Sequence, residues 1–421
     1  MKLLIKQAKI VSPTSPYHGQ SKDIFIENGI INKIADSIND QVDTIIEANN
    51  LHVSIGWVDV FAHFCDPGFE YKETIESGAA AAAAGGYTDV MILPNTAPVV
   101  GSKSQVEYII QKSKSTPVNI HPIGAVTKNT EGKELTEMYD MKSYGAVAFS
   151  DGINSIQSPG ILLKALQYLN AVDACIIQIP DDKSINPQGL INEGIISTQL
   201  GLPGKPAIAE ELMIARDIEL ARYTNGKIHF TGISTKKGLA LISSAKQEGL
   251  NVTCSTTPYH LIFCDEDLKE YDTNLKVNPP VRTKEDMLAI QAAVKNGIID
   301  CIASHHIPQN KDDKDCEFEY AKYGMISLES SFGVINSITN NQWTVQQLVE
   351  MMSIAPRKAF NLPIPEIKEN VTAALTLFNP DNEYTFNKEM IVSKSKNSAL
   401  INKKLKGQVI GIVNGDKISI N

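Results

Sequence analysis

The side chains able to do chemistry gather where apolar runs of the sequence end. VDVFAHFCDPG (58–68) contains His63 and Cys65 at the close of such a run, GAVAFSD (145–151) ends on Asp151, and IIDCIASHH (298–306) ends on His305 and His306. Other runs finish near Asn95, Gln178 and Gly232, and His260 lies just past one more. Imidazole and carboxylate are ordinary zinc ligands, and a catalytic zinc takes about three protein ligands plus an open position for water. Asp151 is the one acid in this ring. His63 and Cys65, two apart on a strand, share a face, so a Cys65 nucleophile with His63 or His305 as base is a second chemistry the pattern allows. Against both stands a plainer role: unligated histidines in a polar setting commonly satisfy neighbouring hydrogen bonds, and buried thiols are mostly inert.

Eight β-branched runs must position these groups: WVDVFAHF (57–64), TDVMILPN (88–95), VNIHPIGAV (118–126), GAVAFSD (145–151), ACIIQIP (174–180), KIHFTGIST (227–235), NVTCSTTPY (251–259) and IIDCIASHH (298–306). They are nearly continuous in apolar character, as parallel strands covered by helices require. Eight strand–helix units predict a (β/α)8 TIM barrel, whose site lies at the carboxyl ends of the strands. In the first strand, Val58, Val60, Ala62 and Phe64 suit the helix-facing side, which leaves Asp59, Phe61, His63 and Cys65 pointing inward. Between the strands, Leu239, Ile242 and Ala245 predict the buried face of one helix, and Ile208, Leu212, Ala215 and Ile218 that of another whose opposite face carries Glu210, Glu211 and Asp217. GAAAAAAGG (78–86) reads as a helix packed closely on the barrel and stopped by its glycines. Residues 1–54 and 368–421 instead show short strands and turns, so the expected organisation is a barrel over 55–367 flanked by a small composite β-sandwich built from both chain ends.

A chain of 421 residues, 43% hydrophobic, suffices for a large core. The net charge of −9, from 48 acidic and 39 basic residues without a basic block, argues against nucleic acid as a partner. Lysines interrupt the apolar residues of MKLLIKQAKIVS, and no stretch approaches the roughly 20 apolar residues of a membrane span. A cytoplasmic location is therefore expected. Six cysteines without a C-x-x-C pair predict reduced thiols rather than a disulfide framework.

The segments GWVDVFAHFCDPG, LPNTAPVV, YGAVAFSDG, STTPYHL, DTNLKVNPPVRTKED and GMISLESSFGVI, in this order along the chain, resemble those of type I dihydroorotases, members of the amidohydrolase superfamily. The resemblance implies the barrel with its composite sandwich, and a zinc site interconverting N-carbamoyl-aspartate and dihydroorotate. It also implies particular residues. The family's first strand ends Asp-x-His-x-His, where this chain has Asp59, Phe61 and His63; the arginine that clamps the substrate carboxylate is Cys65. The metal-bridging aspartate corresponds to Asp151. The fifth- and sixth-strand histidines align with Gln178 and Gly232, and His229 matches a residue expected on the other side of its strand. The final Asp-His-Ala-Pro-His reads His305-His306-Ile307-Pro308-Gln309, placing an imidazole where the family has its general base. Asn95 and Asn278 stand at positions that contact substrate in the family.

With His63 and Asp151 as the metal ligands remaining, the expectation is a catalytically degenerate homologue that needs no cofactor and serves as a subunit for the aspartate transcarbamoylase catalytic chain, itself a homo-oligomer. The alternative is an active cyclic amidohydrolase in which His63, Asp151 and His305 hold one zinc ion. The charged stretch QNKDDKDCEFEYAKYG (309–324) is read as a solvated loop.

Overall fold

A computed structural model describes residues 1–339 and 343–421. Eight short parallel strands, Trp57–Ala62, Tyr87–Ile92, Asn119–Gly124, Ala148–Phe149, Cys175–Gln178, Lys227–Phe230, Val252–Thr256 and Cys301–Ile302, pair in chain order. The ring closes where the last meets the first: Ala62 bridges His306 in parallel, and the His63 N–H donates to the His306 carbonyl at 2.8 Å. The expected barrel is therefore the architecture found.

Its strands sort their side chains into two layers. Met91, Ile123, Ile177, Cys301 and Ala303 fill the interior with Phe360, while Ile92, Phe149, Ile176 and Phe230 pack outward beneath the helices. This partition corrects the facing expected for the first strand. Val58 and Val60 belong to the interior, and Asp59 between them turns its carboxylate to Ser304, accepting from its N–H at 2.6 Å and its hydroxyl at 2.8 Å. The cause is a bulge: Asp59 pairs with Val90 but Ala62 with Ile92, so one extra residue enters and Phe61 follows Val60 onto the interior. Strict alternation phased on His63 holds after the bulge and fails before it.

The Ala-rich run forms the helix Ile75–Ala84, opened by Thr74, whose hydroxyl accepts from the Ser77 N–H at 3.1 Å. A Cβ on Gly78 would fall 2.5 Å from the Phe64 ring, so the first strand and this helix touch only because that position is glycine. The helix Ile208–Thr224 departs in part from its expected orientation: Ile218 is buried as its spacing predicts, but other positions differ. Ile208 and Leu212 are 38% and 49% exposed, while Glu210 and Asp217 are buried. Partners explain the reversal: Glu210 accepts from the backbone N–H groups of Ser234 and Thr235 at 2.9 and 3.0 Å, and Asp217 from Arg216 at 2.7 Å. The helix Lys236–Gln247 buries Leu239, Ile242 and Ala245 as its spacing requires.

Both chain ends enter one nine-stranded sheet. They join where His52–Ile55 pairs antiparallel with Ala374–Thr385, Ile55 opposite Leu375, above a core that includes Leu3, Ile10, Val53, Leu377 and Val413. Among the described residues no helix is long and apolar enough to cross a membrane.

Arg357, just before the Phe360 plug, ties this assembly together. Its buried guanidinium donates to Asp89 at 2.5 Å and to the Gly56 carbonyl at 2.8 Å. Burial would raise the Asp89 carboxyl, but the His121 hydrogen bond and the Arg357 charge outweigh it and hold the group down at about 2. A carboxylate depressed on folding adds stability above its ordinary value of about 4 and loses it as pH falls toward the folded value. Arg357→Met is thus expected to cost about 3 kcal/mol at neutral pH, because it removes the guanidinium charge from a buried carboxylate that keeps the hydrogen bonds of His121, Thr88 and Asn119. In urea titrations that deficit narrows as pH falls from about 4 toward 2, where Asp89 protonates.

Candidate active site

The barrel mouth gathers His63, Cys65, Asn95 and Asp151, and each is already engaged. His63 Nε2 lies 2.9 Å from the Asn95 carbonyl, and its Nδ1 lies 2.8 Å from Cys65 Sγ. A carbonyl can only accept, so Nε2 carries the ring proton and Nδ1 accepts from the thiol. Burial, opposed by the Asn95 hydrogen bond, brings His63 down to about 4, and burial pushes the Cys65 thiol well up. The pair is held as neutral imidazole and neutral thiol, the reverse of an activated thiolate.

Asn95 spends its side chain on backbone: its amide N–H donates to the Asp151 carbonyl at 3.0 Å, and its oxygen accepts from the Ile153 N–H at 3.0 Å. Asp151 accepts from the Thr127 N–H at 2.8 Å and the Thr127 hydroxyl at 2.5 Å, using both oxygens. Burial raises its carboxyl, and these bonds counter part of that rise.

His305 closes the mouth from the eighth strand. Its ring stacks on Phe61 with centroids 4.4 Å apart, and Nε2 lies 2.8 Å from the Thr231 hydroxyl. Thr231 in turn accepts from the Ser255 hydroxyl at 2.9 Å, and Ser255 lies 2.9 Å from His229 Nε2. His229 therefore points into the barrel, its ring 5.0 Å from Phe360, and not to the far side of its strand. The sequence reading missed this polar relay. Its signal was present in the alternating Thr253 and Ser255 opposite His229, a row of small hydroxyls inside an otherwise apolar barrel. His305 Nδ1 is buried without a hydrogen-bond partner.

Other expected positions lie elsewhere. Gln178 does not face the mouth: its amide turns outward to Asp217 at 3.3 Å and to the backbone of Ile156, while Ile179, one residue on, sits in the interior cluster. Gln309 accepts from the Lys72 ammonium at 2.8 Å and donates to the Tyr323 carbonyl at 2.7 Å, away from His305. Asn278 accepts from Lys205 at 3.2 Å, which also pairs with Asp181 at 2.6 Å. His260 rests between the Thr257 hydroxyl and the Pro280 carbonyl. His306 sets Nε2 3.5 Å from the buried Glu73 carboxylate, a pairing the sequence reading did not include. The stretch 309–324 is anchored rather than merely solvated: Phe318 and Ala321 are buried, and the buried Lys314 ammonium donates to the carbonyls of Thr273 and Lys322 at 2.8 and 2.7 Å.

The sequence profile of the dihydro-orotase-like family matches residues 52–238. A protein described as a dihydroorotase from Caldanaerobacter subterraneus subsp. tengcongensis is 41% identical over 413 residues, covering 97% of this chain and 95% of its own. The chain belongs to the dihydroorotase-like family. A dihydroorotase from Acetivibrio thermocellus is 39% identical over 420 residues, covering 99% of this chain and 98% of its own. Among solved structures, L-hydantoinase from Arthrobacter aurescens superposes over 100% of this chain and 96% of its own with a TM-score of 0.84 at 21% identity, a likeness of fold.

The zinc that the dihydroorotase resemblance implies does not fit the donors in this mouth. Among the described residues no three His, Cys, Asp or Glu side chains converge to hold an ion. Both nitrogens of His63 and both oxygens of Asp151 are committed to protein partners, leaving His305 Nδ1 as the one orphan donor of the three. Gly232 cannot regain a ligand by simple replacement. Its φ of +72 disfavours any side chain, and a Cβ there would lie 2.8 Å from His305 Cε1.

The commitment of His63 is measurable. Its folded value lies below the ordinary histidine range, so unfolded chains take up this proton first, and His63 costs stability as pH falls from about 6.5 toward 4. Imidazole 15N spectra are expected to find His63 neutral, with the proton on Nε2, from pH 8 to about 5. Iodoacetamide is expected to modify the partly exposed Cys316 in the folded protein and to spare Cys65. Titration of His63 near 6.5, or rapid Cys65 alkylation, contradicts the geometry.

Proposed function

We propose that this dihydroorotase-family chain does no hydrolytic chemistry at its barrel mouth and acts as a structural subunit, with the aspartate transcarbamoylase catalytic chain as its partner. One observation carries the reading: both nitrogens of His63 are taken by Cys65 and the Asn95 carbonyl, and each oxygen of Asp151 already accepts from Thr127. An ion taking His63 as a ligand would have to break one of its two bonds in a buried setting, where an abandoned donor or acceptor costs about 1–3 kcal/mol.

The rest of the reaction lacks its parts as well. Opening or closing a cyclic amide needs a polarised carbonyl, an activated nucleophile and a group to move the proton. His305 stands where the family's base would be, yet burial drives it strongly toward the neutral form and its Nε2 is held by Thr231. Cys65 replaces the guanidinium that would grip a substrate carboxylate, and a neutral thiol offers neither charge nor a paired donor. Phe61 covers one face of the His305 ring and keeps the mouth apolar there. What remains intact is the barrel and its composite sheet, the parts that present a surface.

The test is made on protein purified without chelator and without a polyhistidine tag. Elemental analysis is expected to find zinc well below one ion per chain, and both N-carbamoyl-aspartate and dihydroorotate are expected to turn over no faster than in buffer. Light scattering on a mixture with the transcarbamoylase chain is expected to register a stable complex. Stoichiometric zinc with turnover abolished by chelation overturns the non-catalytic reading. Separate elution of the two chains overturns the partner.

A further inference from the structure

A cavity of about 590 Å³ opens beside the barrel mouth, between the loop after the eighth strand (309–315) and the segment 388–401. Five lysines line it: Lys311, Lys314, Lys388, Lys394 and Lys396. Asp315 is the one carboxylate among its lining side chains, so the lining carries a surplus of positive charge in a chain whose net charge is −9.

These charges are mostly not neutralised by acids. Lys394 donates to the Glu70 carbonyl at 2.6 Å, and Lys396 to the Ile391 carbonyl at 2.5 Å. Lys314 spends two donors on the carbonyls of Thr273 and Lys322, and burial lowers it to about 7, so the standing surplus rests on the other four lysines against Asp315. Among the described residues Lys388 forms no ion pair, and Lys311 reaches Asp315 only at 3.7 Å on an exposed edge. Carbonyl dipoles hold the ammonium groups in place without cancelling them. Ammonium groups brought together around one concavity repel, and that cost is offset when an anion enters.

We propose that this cavity binds a phosphate-bearing polyanion. The lining contains lysine and no arginine, which suits compact charges set around a multivalent phosphate better than planar bidentate grips on a carboxylate. The volume lies within the range of about 300–1,000 Å³ typical of small-molecule sites. Tyr71, also in the lining and largely exposed, offers a ring on which a nucleobase can stack. An anion here bridges two segments that already meet where the Gln309 N–H donates to Asn397 at 3.0 Å, so binding tightens the rim of the barrel. The proposal does not depend on whether the mouth holds metal.

Calorimetry with sodium tripolyphosphate, ATP and citrate tests it on the full chain. Tripolyphosphate is expected to bind saturably at one site, with affinity falling as sodium chloride rises from about 50 to 200 mM. Lys388 and Lys394 are exposed, so the double variant Lys388→Glu, Lys394→Glu is expected to keep its melting temperature without ligand and to lose at least tenfold in affinity. Lys164→Glu, on the exposed surface of the helix Pro159–Asn170, is expected to change nothing. Tighter binding of ATP than of tripolyphosphate identifies a nucleotide as the source of the phosphate, and equal binding identifies inorganic polyphosphate; both support the site. Absence of saturable binding, citrate binding as tightly as tripolyphosphate, or equal weakening by Lys164→Glu overturns it.

Discussion

The seam between the first and eighth barrel strands is the constraint on which the site depends. Asp59 holds it from within by accepting from the N–H and hydroxyl of Ser304, and the His63 N–H holds it at the rim by donating to the His306 carbonyl. Burial lifts the Asp59 carboxyl to about 6 against the pull of the Ser304 bonds, so this carboxylate persists only because both donors are fixed. Phe61 and His305 meet face to face across the same seam, and Cys65 reaches His63 just beyond it. Move the seam by one residue and every one of these side chains changes side.

The seam shapes a mouth whose polar atoms answer one another. Thr127 gives Asp151 two donors, Asn95 spends its amide on the backbone around Asp151, and a hydrogen-bond chain joins His229 to Ser255, Ser255 as donor to Thr231, and Thr231 to His305. Such a network is stable when complete and costly when broken, because each partner left behind is buried. Its one loose end is His305 Nδ1. The network thus accounts for the retention of polar residues in the mouth without requiring any of them to touch a ligand.

The barrel was legible in the sequence because eight nearly continuous apolar runs admit few other arrangements, and the glycines at 85 and 86 marked the end of the Ala-rich helix, while its start at Ile75, capped by Thr74, was not read. The facing of individual side chains was less legible, for three physical reasons. The bulge between Asp59 and Ala62 shifts the phase of alternation, and no local residue announces it. The helix Ile208–Thr224 turns its acidic residues inward because Ser234, Thr235 and Arg216 supply partners, two of them at the start of a different helix. Gln178 corresponds to a ligand position of the family but points at Asp217, because the strand's phase puts Ile179 inside instead. Apart from Arg216 beside Asp217, each miss concerns a long-range partner, which a single sequence does not display.

The substitutions around the mouth are consistent with one another in electrostatic terms. A buried acid is tolerated when a cation faces it or when enough donors surround it. Asp151 has Thr127 for both oxygens and remains an acid. The position of the family's base, packed on Phe61 with only the Thr231 hydroxyl in reach, offers one partner and no positive charge, and there the side chain is the neutral His305. At Cys65, where the family has a guanidinium, the thiol lies against His63, with the carboxylates of Glu73, Asp66 and Glu70 acting on it. On the reading proposed for this chain, the loss of the cation and the loss of the acid at position 305 go together, since a carboxylate there would have only the Thr231 hydroxyl beside it.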